Sequence, residues 1–207
     1  GAGNEINGLT LGGIGTGTTV EHVEVVSNQD DGVEWFGGTV NVKNVLIWNS
    51  GDDGLDTDQA WNGTVEDFII MTPGGSLFEL DGPEGTYING RHTMQNGIAY
   101  AGDLGEELVD FDKPTNVDLK DVYFFGIADN GIKVEQYAAM ADTAQAGSFT
   151  NIEYTLADGV SMDSVFVDVP EANLTEVAKN ENTVGPAAGS FSWTWASQAG
   201  ALEEIGL

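Results

Sequence analysis

The chain has 207 residues, 41% of them apolar, enough for one large domain with a real core. Its 34 Asp and Glu stand against 6 Lys and Arg, a formal net charge of −28, so it repels nucleic acid and anionic membranes, which are bound through Lys and Arg. The lack of cysteine excludes disulfides, thiolate zinc sites and cysteine nucleophiles, and no apolar run approaches the roughly 18 residues of a spanning helix, so no direct membrane insertion is expected.

The chain opens Gly1-Ala2-Gly3-Asn4 and passes straight into strand-like sequence, which suggests a start inside a longer precursor. A first frame comes next, Val20-Glu21-His22-Val23-Glu24-Val25 and then Asp30-Asp31-Gly32-Val33-Glu34. The same frame returns as Val42-Lys43-Asn44-Val45-Leu46-Ile47 with Asp52-Asp53-Gly54-Leu55-Asp56, and as Val65-Glu66-Asp67-Phe68-Ile69-Ile70 with Leu77-Phe78-Glu79. Residues 91–112 match less well and are expected to hold one further turn, from Met94 to Asp110. Leu119-Lys120-Asp121-Val122-Tyr123-Phe124 with Asp129-Asn130-Gly131-Ile132-Lys133 restores the frame, and Phe149-Thr150-Asn151-Ile152-Glu153-Tyr154 with Asp158-Gly159-Val160-Ser161 is the last copy.

A period of about 22 residues with short, apolar-alternating strands predicts an all-β fold, a right-handed parallel β-helix or solenoid. Each coil then stacks on the last about 4.8 Å away. The coils are expected over residues 1–169, with insertions near 82–112 and 136–148 and a short helix from Gln136 to Ala146. The Gly after each acidic pair is expected to supply a positive φ at a bend. Residues 170–207, with Ser190-Phe191-Ser192-Trp193-Thr194-Trp195 and a short helix from Ala199 to Leu207, are expected to cap the last coil, because a solenoid's open end is a row of unpaired backbone groups.

Stacking turns the repeat into columns. Asp30 is expected over Asp52, and Asp31 over Asp53, with Asn130 and Asp158 in equivalent places. Glu34, Asp56 and Glu79 form a second column, and Asp58 lies over Asp81 beside it. Like charges directly opposed are destabilising, so protons, salt or a bound cation must offset them. Carboxylates, Asn and turn carbonyls are calcium's ligand set, roughly 6–8 oxygens at about 2.3–2.6 Å. Two metal sites are therefore expected, one of Asp30, Asp31, Asp52 and Asp53, the other of Asp56, Asp58, Glu79 and Asp81. The only histidines, His22 and His92, lie far apart, which argues against zinc. His22 occupies the place of Asn44, Asp67, Asp121 and Asn151, which argues for a structural turn or ladder role over a catalytic one.

The run from Asp30 to Lys43, the run from Gly51 to Asp58, and the ending Phe191-Ser192-Trp193-Thr194-Trp195-Ala196 resemble a family of secreted or lipid-anchored parallel β-helix proteins of marine and gut bacteria, poorly characterised in function. The resemblance covers most of the chain and corresponds to the C-terminal part of such proteins. It implies an extracellular or outer-surface location and supplies no catalytic residue.

The leading reading is a non-catalytic, calcium-stabilised surface protein with a structural, adhesive or glycan-binding role. Its expected partners are divalent cations, extracellular polysaccharide or further copies of itself. The alternative is a polysaccharide-active enzyme. A hydrolase needs two carboxylates about 5 Å or roughly 6.5–9.5 Å apart, and Asp31 with Asp53 or Asp56 with Asp58 could serve. A lyase needs a base and cations, and the six basic residues are dispersed. Carbohydrate binding through Trp35, Trp48 or Trp61 is a third possibility, against packing of these rings within the coils. No regular Thr-X-Thr column supports ice binding.

Overall fold

A computed structural model of the chain describes residues 6–82, 86, 90–111, 115–138 and 148–207. The strands are β1 (Leu9–Gly12), β2 (Val20–Val26), β3 (Val33–Phe36), β4 (Val42–Trp48), β5 (Leu55–Asp58), β6 (Thr64–Met71), β7 (Phe78–Leu80), β8 (His92–Tyr100), β9 (Val109–Phe111), β10 (Val117–Ile127), β11 (Ser148–Leu156) and β12 (Leu174–Glu176). They form two sheets. The smaller runs β1-β3-β5-β7-β9, and the larger runs β2-β4-β6-β8-β10-β11-β12. Every pairing is parallel, and neighbours in a sheet are mostly alternate strands in the chain, which is the topology of a parallel β-helix.

The repeat maps onto hydrogen-bond register. Val20 pairs with Val42, Val42 with Val65, Val65 with Met94, Met94 with Leu119, and Leu119 with Phe149. The step is not constant, however. Equivalent residues lie 22 and 23 apart in the early coils (Asp31 to Asp53, Asp53 to Ser76), but 29 from Asp67 to Asn96 and 30 from Asp121 to Asn151. The added length lies in the connections, because loops can lengthen without disturbing the stacked strands. Residues 92–111, expected to hold one further turn within the insertion near 82–112, carry β8 and β9. Of the insertion and helix expected near 136–148, residues 139–147 lie outside the described residues.

A left-handed residue bends each of the six longer strands of the larger sheet. His22, Asn44, Asp67, Asn96, Asp121 and Asn151 all have φ between 53° and 61°. Asn and Asp tolerate this region because their short polar side chains bond locally. Here they bond along the column: Asn96 Nδ2 donates to Asp67 Oδ1 and Asn151 Nδ2 to Asp121 Oδ1, each at 2.5 Å. The bend resets the alternation, so that Val42 and Val45 both enter the interior core. Gly159, after Asp158, has the expected positive φ of 88°, but the glycines of the first two acidic corners have a different task. Gly32 and Gly54 are absent from the positive-φ residues, but a Cβ on either would meet the carbonyl oxygen of the next coil (Gly54 or Leu77) at 2.6 Å. Close approach of stacked backbones, not backbone handedness, requires them.

The interior holds Val33, Trp35, Leu55, Phe68, Phe78, Phe124 and their neighbours, closed at the far end by Val165, Phe166 and Val169 around α1 (Met162–Val165). Beyond the bend the residues that point outward are also apolar. Leu46, Ile69, Met71, Ile98, Tyr123 and Phe125 form a second core with Val184, Phe191, Ala196, Ala201 and Leu202. Within the C-terminal segment β12 pairs along the edge of β11, and the residues from Val184 onward lie as a strap along the outer face of the larger sheet. Its Phe191 sits in a 3-10 turn (Ala188–Phe191), followed by α2 (Trp195–Gln198) and α3 (Ala201–Ile205). The signal was present in the sequence: Val45-Leu46-Ile47 and Phe68-Ile69-Ile70-Met71 are continuous apolar runs, which mark strands buried on both faces.

Two carboxylates fasten the strap. Glu24, Leu46, Ile69, Ile98, Tyr123 and Glu153 are successive members of one outward column. At one end Glu153, 5% exposed, accepts hydrogen bonds from the Thr183 N–H and Oγ1 at 2.6 Å each. At the other, Glu24 accepts from the N–H groups of Trp195 and Ala196 at 2.8 Å, at the start of α2, while Thr194 caps the same helix from within.

Candidate cation site

The outer face of the smaller sheet has the opposite character. Each acidic corner precedes a strand of this sheet, and each strand sends alternate residues outward. In β3 and β5, Val33, Trp35 and Leu55 enter the core while Glu34, Asp56 and Asp58 point away from it. Asn28 shapes the first corner, its Nδ2 donating to the carbonyls of Asp30 and Asp31 at 2.7 Å each.

Asp31 and Asp53 occupy one column, and each uses an oxygen to stitch coils together. Asp31 Oδ1 accepts from the Asp53 N–H at 3.1 Å, Asp53 Oδ1 from the Ser76 N–H at 2.5 Å, and Ser76 Oγ from the Glu107 N–H at 3.4 Å. Asn130 and Asp158 do not continue it. The smaller sheet next bridges Val109 to Val134, not to Ile132, and Asn130 Oδ1 instead accepts from the Ser161 N–H at 2.8 Å. In the neighbouring column Glu34 pairs with Asp56, Asp56 with Glu79, and Glu79 with Asp110. Asp58 lies opposite Phe36, and the Asp81 N–H donates to the Thr57 carbonyl, which places Asp81 at the end of the same row as Asp58.

Among the described residues, two groups of three bring carboxylate oxygens within 4.8 Å of one another: Asp30, Asp31 and Asp52; and Asp31, Glu34 and Asp56. Asp31 belongs to both. This differs from the expected partition. Asp53 hydrogen-bonds Glu79 rather than joining the first group, and Asp56 meets Asp31 and Glu34 rather than Asp58, Glu79 and Asp81. Glu34, placed in its column by the repeat, was absent from the expected ligand set. Its membership follows from the position of Asp31, whose carboxylate lies within 4.8 Å of both Glu34 and Asp56.

The second group is buried, with Asp31, Glu34 and Asp56 only 7, 8 and 7% exposed. Burial pushes Asp56 up to about 10, and the charges of Asp31, Glu79, Glu34 and Asp58 push the same way. Burial likewise raises Asp31 to about 7 and Glu79 to about 9, with neighbouring carboxylates adding to the effect. Glu34 and Asp53 are raised too, again chiefly by burial. Such a group is stable only if some carboxylates hold protons or a cation lies among them. The donor set is oxygen only, which suits a hard cation such as calcium.

The other candidate side chains serve packing. Trp35 and Trp61 are 0 and 1% exposed and stacked at 4.7 Å inside the coils, so neither can receive a sugar. His92, in the same stack 5.2 Å from Trp61, is held neutral by burial, its pKa lowered to about 3, with Nε2 3.4 Å from Thr57 Oγ1. His22 packs edge-on against Trp193 at 5.2 Å. Three basic residues are bound in ion pairs, Lys43–Glu66, Arg91–Asp118 and Lys133–Glu135, at 2.5–2.6 Å.

No curated protein and no solved structure matches the chain. A family model does, that of a pectate-lyase-like β-helix domain, over residues 1–199. Domains of this kind are commonly extracellular and fit a polysaccharide-related role, although a shared fold does not transfer chemistry. With its parallel coils and a match across nearly its whole length, the chain belongs to the pectate-lyase-like β-helix family.

Proposed function

We propose that this domain is a non-catalytic, extracellular β-helix whose acidic face binds calcium and which serves a structural or adhesive, glycan-binding role. One observation carries the reading: Asp31, Glu34 and Asp56 are buried together with oxygens within 4.8 Å of one another. The charges that act most strongly on Asp56 are all acidic. A divalent cation would take the place of the protons these groups otherwise hold, and would tie two successive coils, since Glu34 and Asp56 are register partners.

A glycoside hydrolase is the second reading, favoured by Asp31. A carboxylic acid with a pKa of about 7 beside other carboxylates is what a general acid requires. Release of reducing ends from a glycan, lost in Asp31→Asn, would establish it.

The test of the calcium reading is the thermal midpoint in chelator and in millimolar calcium at pH 8, with magnesium and matched ionic strength as controls. A ligand at one hundred times its dissociation constant adds about 2.7 kcal/mol, a shift of several degrees. The shift should vanish in Asp31→Asn/Asp56→Asn. An equal shift in wild type and variant, or none beyond the salt controls, would refute the assignment.

A further inference from the structure

The strap does not seal the larger sheet completely. Between the sheet and α3 lies a cavity of about 330 Å³, lined among others by Trp48, Met71, Thr72, Tyr100, Glu204 and Ile205. Next to the wall residue Trp48, with ring centroids 5.7 Å apart, Trp195 is 57% exposed, a large apolar ring left open to solvent. The lining is amphipathic in a particular way. Its walls are aromatic and aliphatic, and its polar groups include two hydroxyls, those of Thr72 and Tyr100, and one exposed carboxylate, Glu204.

Two details of the backbone serve this cavity. Thr72 has φ 46°, a left-handed conformation that a β-branched residue adopts only at a cost. Ser27, Asn49 and Gly126 hold the equivalent place after other strands of the sheet, residue types that accept this conformation more readily. Strain of this kind collects where a side chain has work beyond folding. The Tyr100 ring is also given room by the chain itself: a Cβ at Gly126 would collide with it.

We propose that this cavity is a binding site for an uncharged glycan. One pyranose ring lies in the cavity with its C–H face against Trp48 and Tyr100 and its hydroxyls toward Glu204 and Thr72, and the next ring of the chain stacks on Trp195. A sugar ring pairs an apolar face with a belt of hydroxyls, which matches this lining better than a wholly apolar ligand would. Acidic glycans are disfavoured, because Glu203 and Glu204 lie exposed on α3 and the chain carries a formal charge of −28. The site lies on a different sheet from the acidic columns. It deepens the glycan-binding part of the function proposed above and does not depend on calcium.

The experiment is a calorimetric and tryptophan-fluorescence titration of the domain with uncharged oligosaccharides from β-linked glucan, xylan and mannan, and with oligogalacturonate, each in chelator and in calcium. At least one uncharged oligosaccharide should bind in both conditions. Trp195→Ala and Glu204→Gln, both at exposed positions, should each weaken it by about tenfold without moving the thermal midpoint. Binding of oligogalacturonate alone, binding of no sugar in the panel, or an affinity that both variants leave unchanged would overturn the proposal. A missing calcium shift with sugar binding intact would reject the cation site and leave this one standing.

Discussion

The two outer faces of this β-helix obey the same stacking rule with opposite residues. On the smaller sheet the outward column is Glu34, Asp56, Glu79 and Asp110, while on the larger it is Leu46, Ile69, Ile98 and Tyr123, ended by Glu24 and Glu153. A solenoid multiplies whatever it places at one position, so a single choice of residue type becomes a long patch. The apolar patch is resolved within the chain by the strap, since contiguous exposed apolar surface is costly. The acidic patch has no such segment among the described residues and must be balanced by protons or cations. Stability on one face thus depends on packing, and on the other on the solution.

The largest effect should come from breaking the apolar face. Phe191, the fully buried residue by which the strap packs on the sheet, should cost about 3–5 kcal/mol when replaced by Ala, read as a lower denaturant midpoint with gain of apolar-dye binding. A small change there would mean that the strap is dispensable and the comparison false. Next comes the fastening of that strap. Glu153→Leu leaves the Thr183 N–H and hydroxyl without their acceptor and should cost about 2–3 kcal/mol, whereas Glu153→Gln should recover part of the loss. Both are read from the same denaturant midpoint.

The acidic face should instead respond to pH. Asp31, Glu79 and Asp56 hold protons in the folded chain up to about 7, 9 and 10, whereas the unfolded chain releases them near pH 4. The native state therefore binds more protons across that interval, and stability in chelator should fall as pH rises from about 4 to about 10. Calcium should flatten the curve in its upper part, where metal replaces proton. Asp56→Asn removes one member of the group, so in chelator at pH 8 it should be about 1–2 kcal/mol more stable than wild type. A pH curve identical in wild type and variant would show that Asp56 carries none of the load. The smallest effect concerns the corner of the other face: Thr72→Asn relieves a left-handed β-branched residue and should gain about 1 kcal/mol, measured by the midpoint in denaturant.

Much of this molecule was legible in the residues themselves. Val20, Val42, Val65, Leu119 and Phe149 are register partners along one sheet, as their spacing implied, with Met94 completing the row. The place shared by His22, Asn44, Asp67, Asp121 and Asn151 is a left-handed bend inside a ladder strand, and five of the six residues in that column are Asn or Asp because the left-handed conformation selects them. The candidate site was legible only as columns. That Asp30 stacks near Asp52 and Glu34 on Asp56 follows from the period; that Asp31 meets both Glu34 and Asp56 does not, since it joins a corner residue to the strand that follows, a contact between columns that a repeat does not specify.

The sequence by itself determined which residues stack, because a strand frame repeated from coil to coil, with its varying length confined to the connections, converts a place in the frame into a place in a column. Only the tertiary structure decided what each column faces. A left-handed residue within the strand resets the alternation, so a count by twos across the bend assigns the wrong side to every residue beyond it. The cover of the apolar face lies at the far end of the chain, where Ala196 meets Glu24 across 172 residues, a distance over which no local pattern carries information.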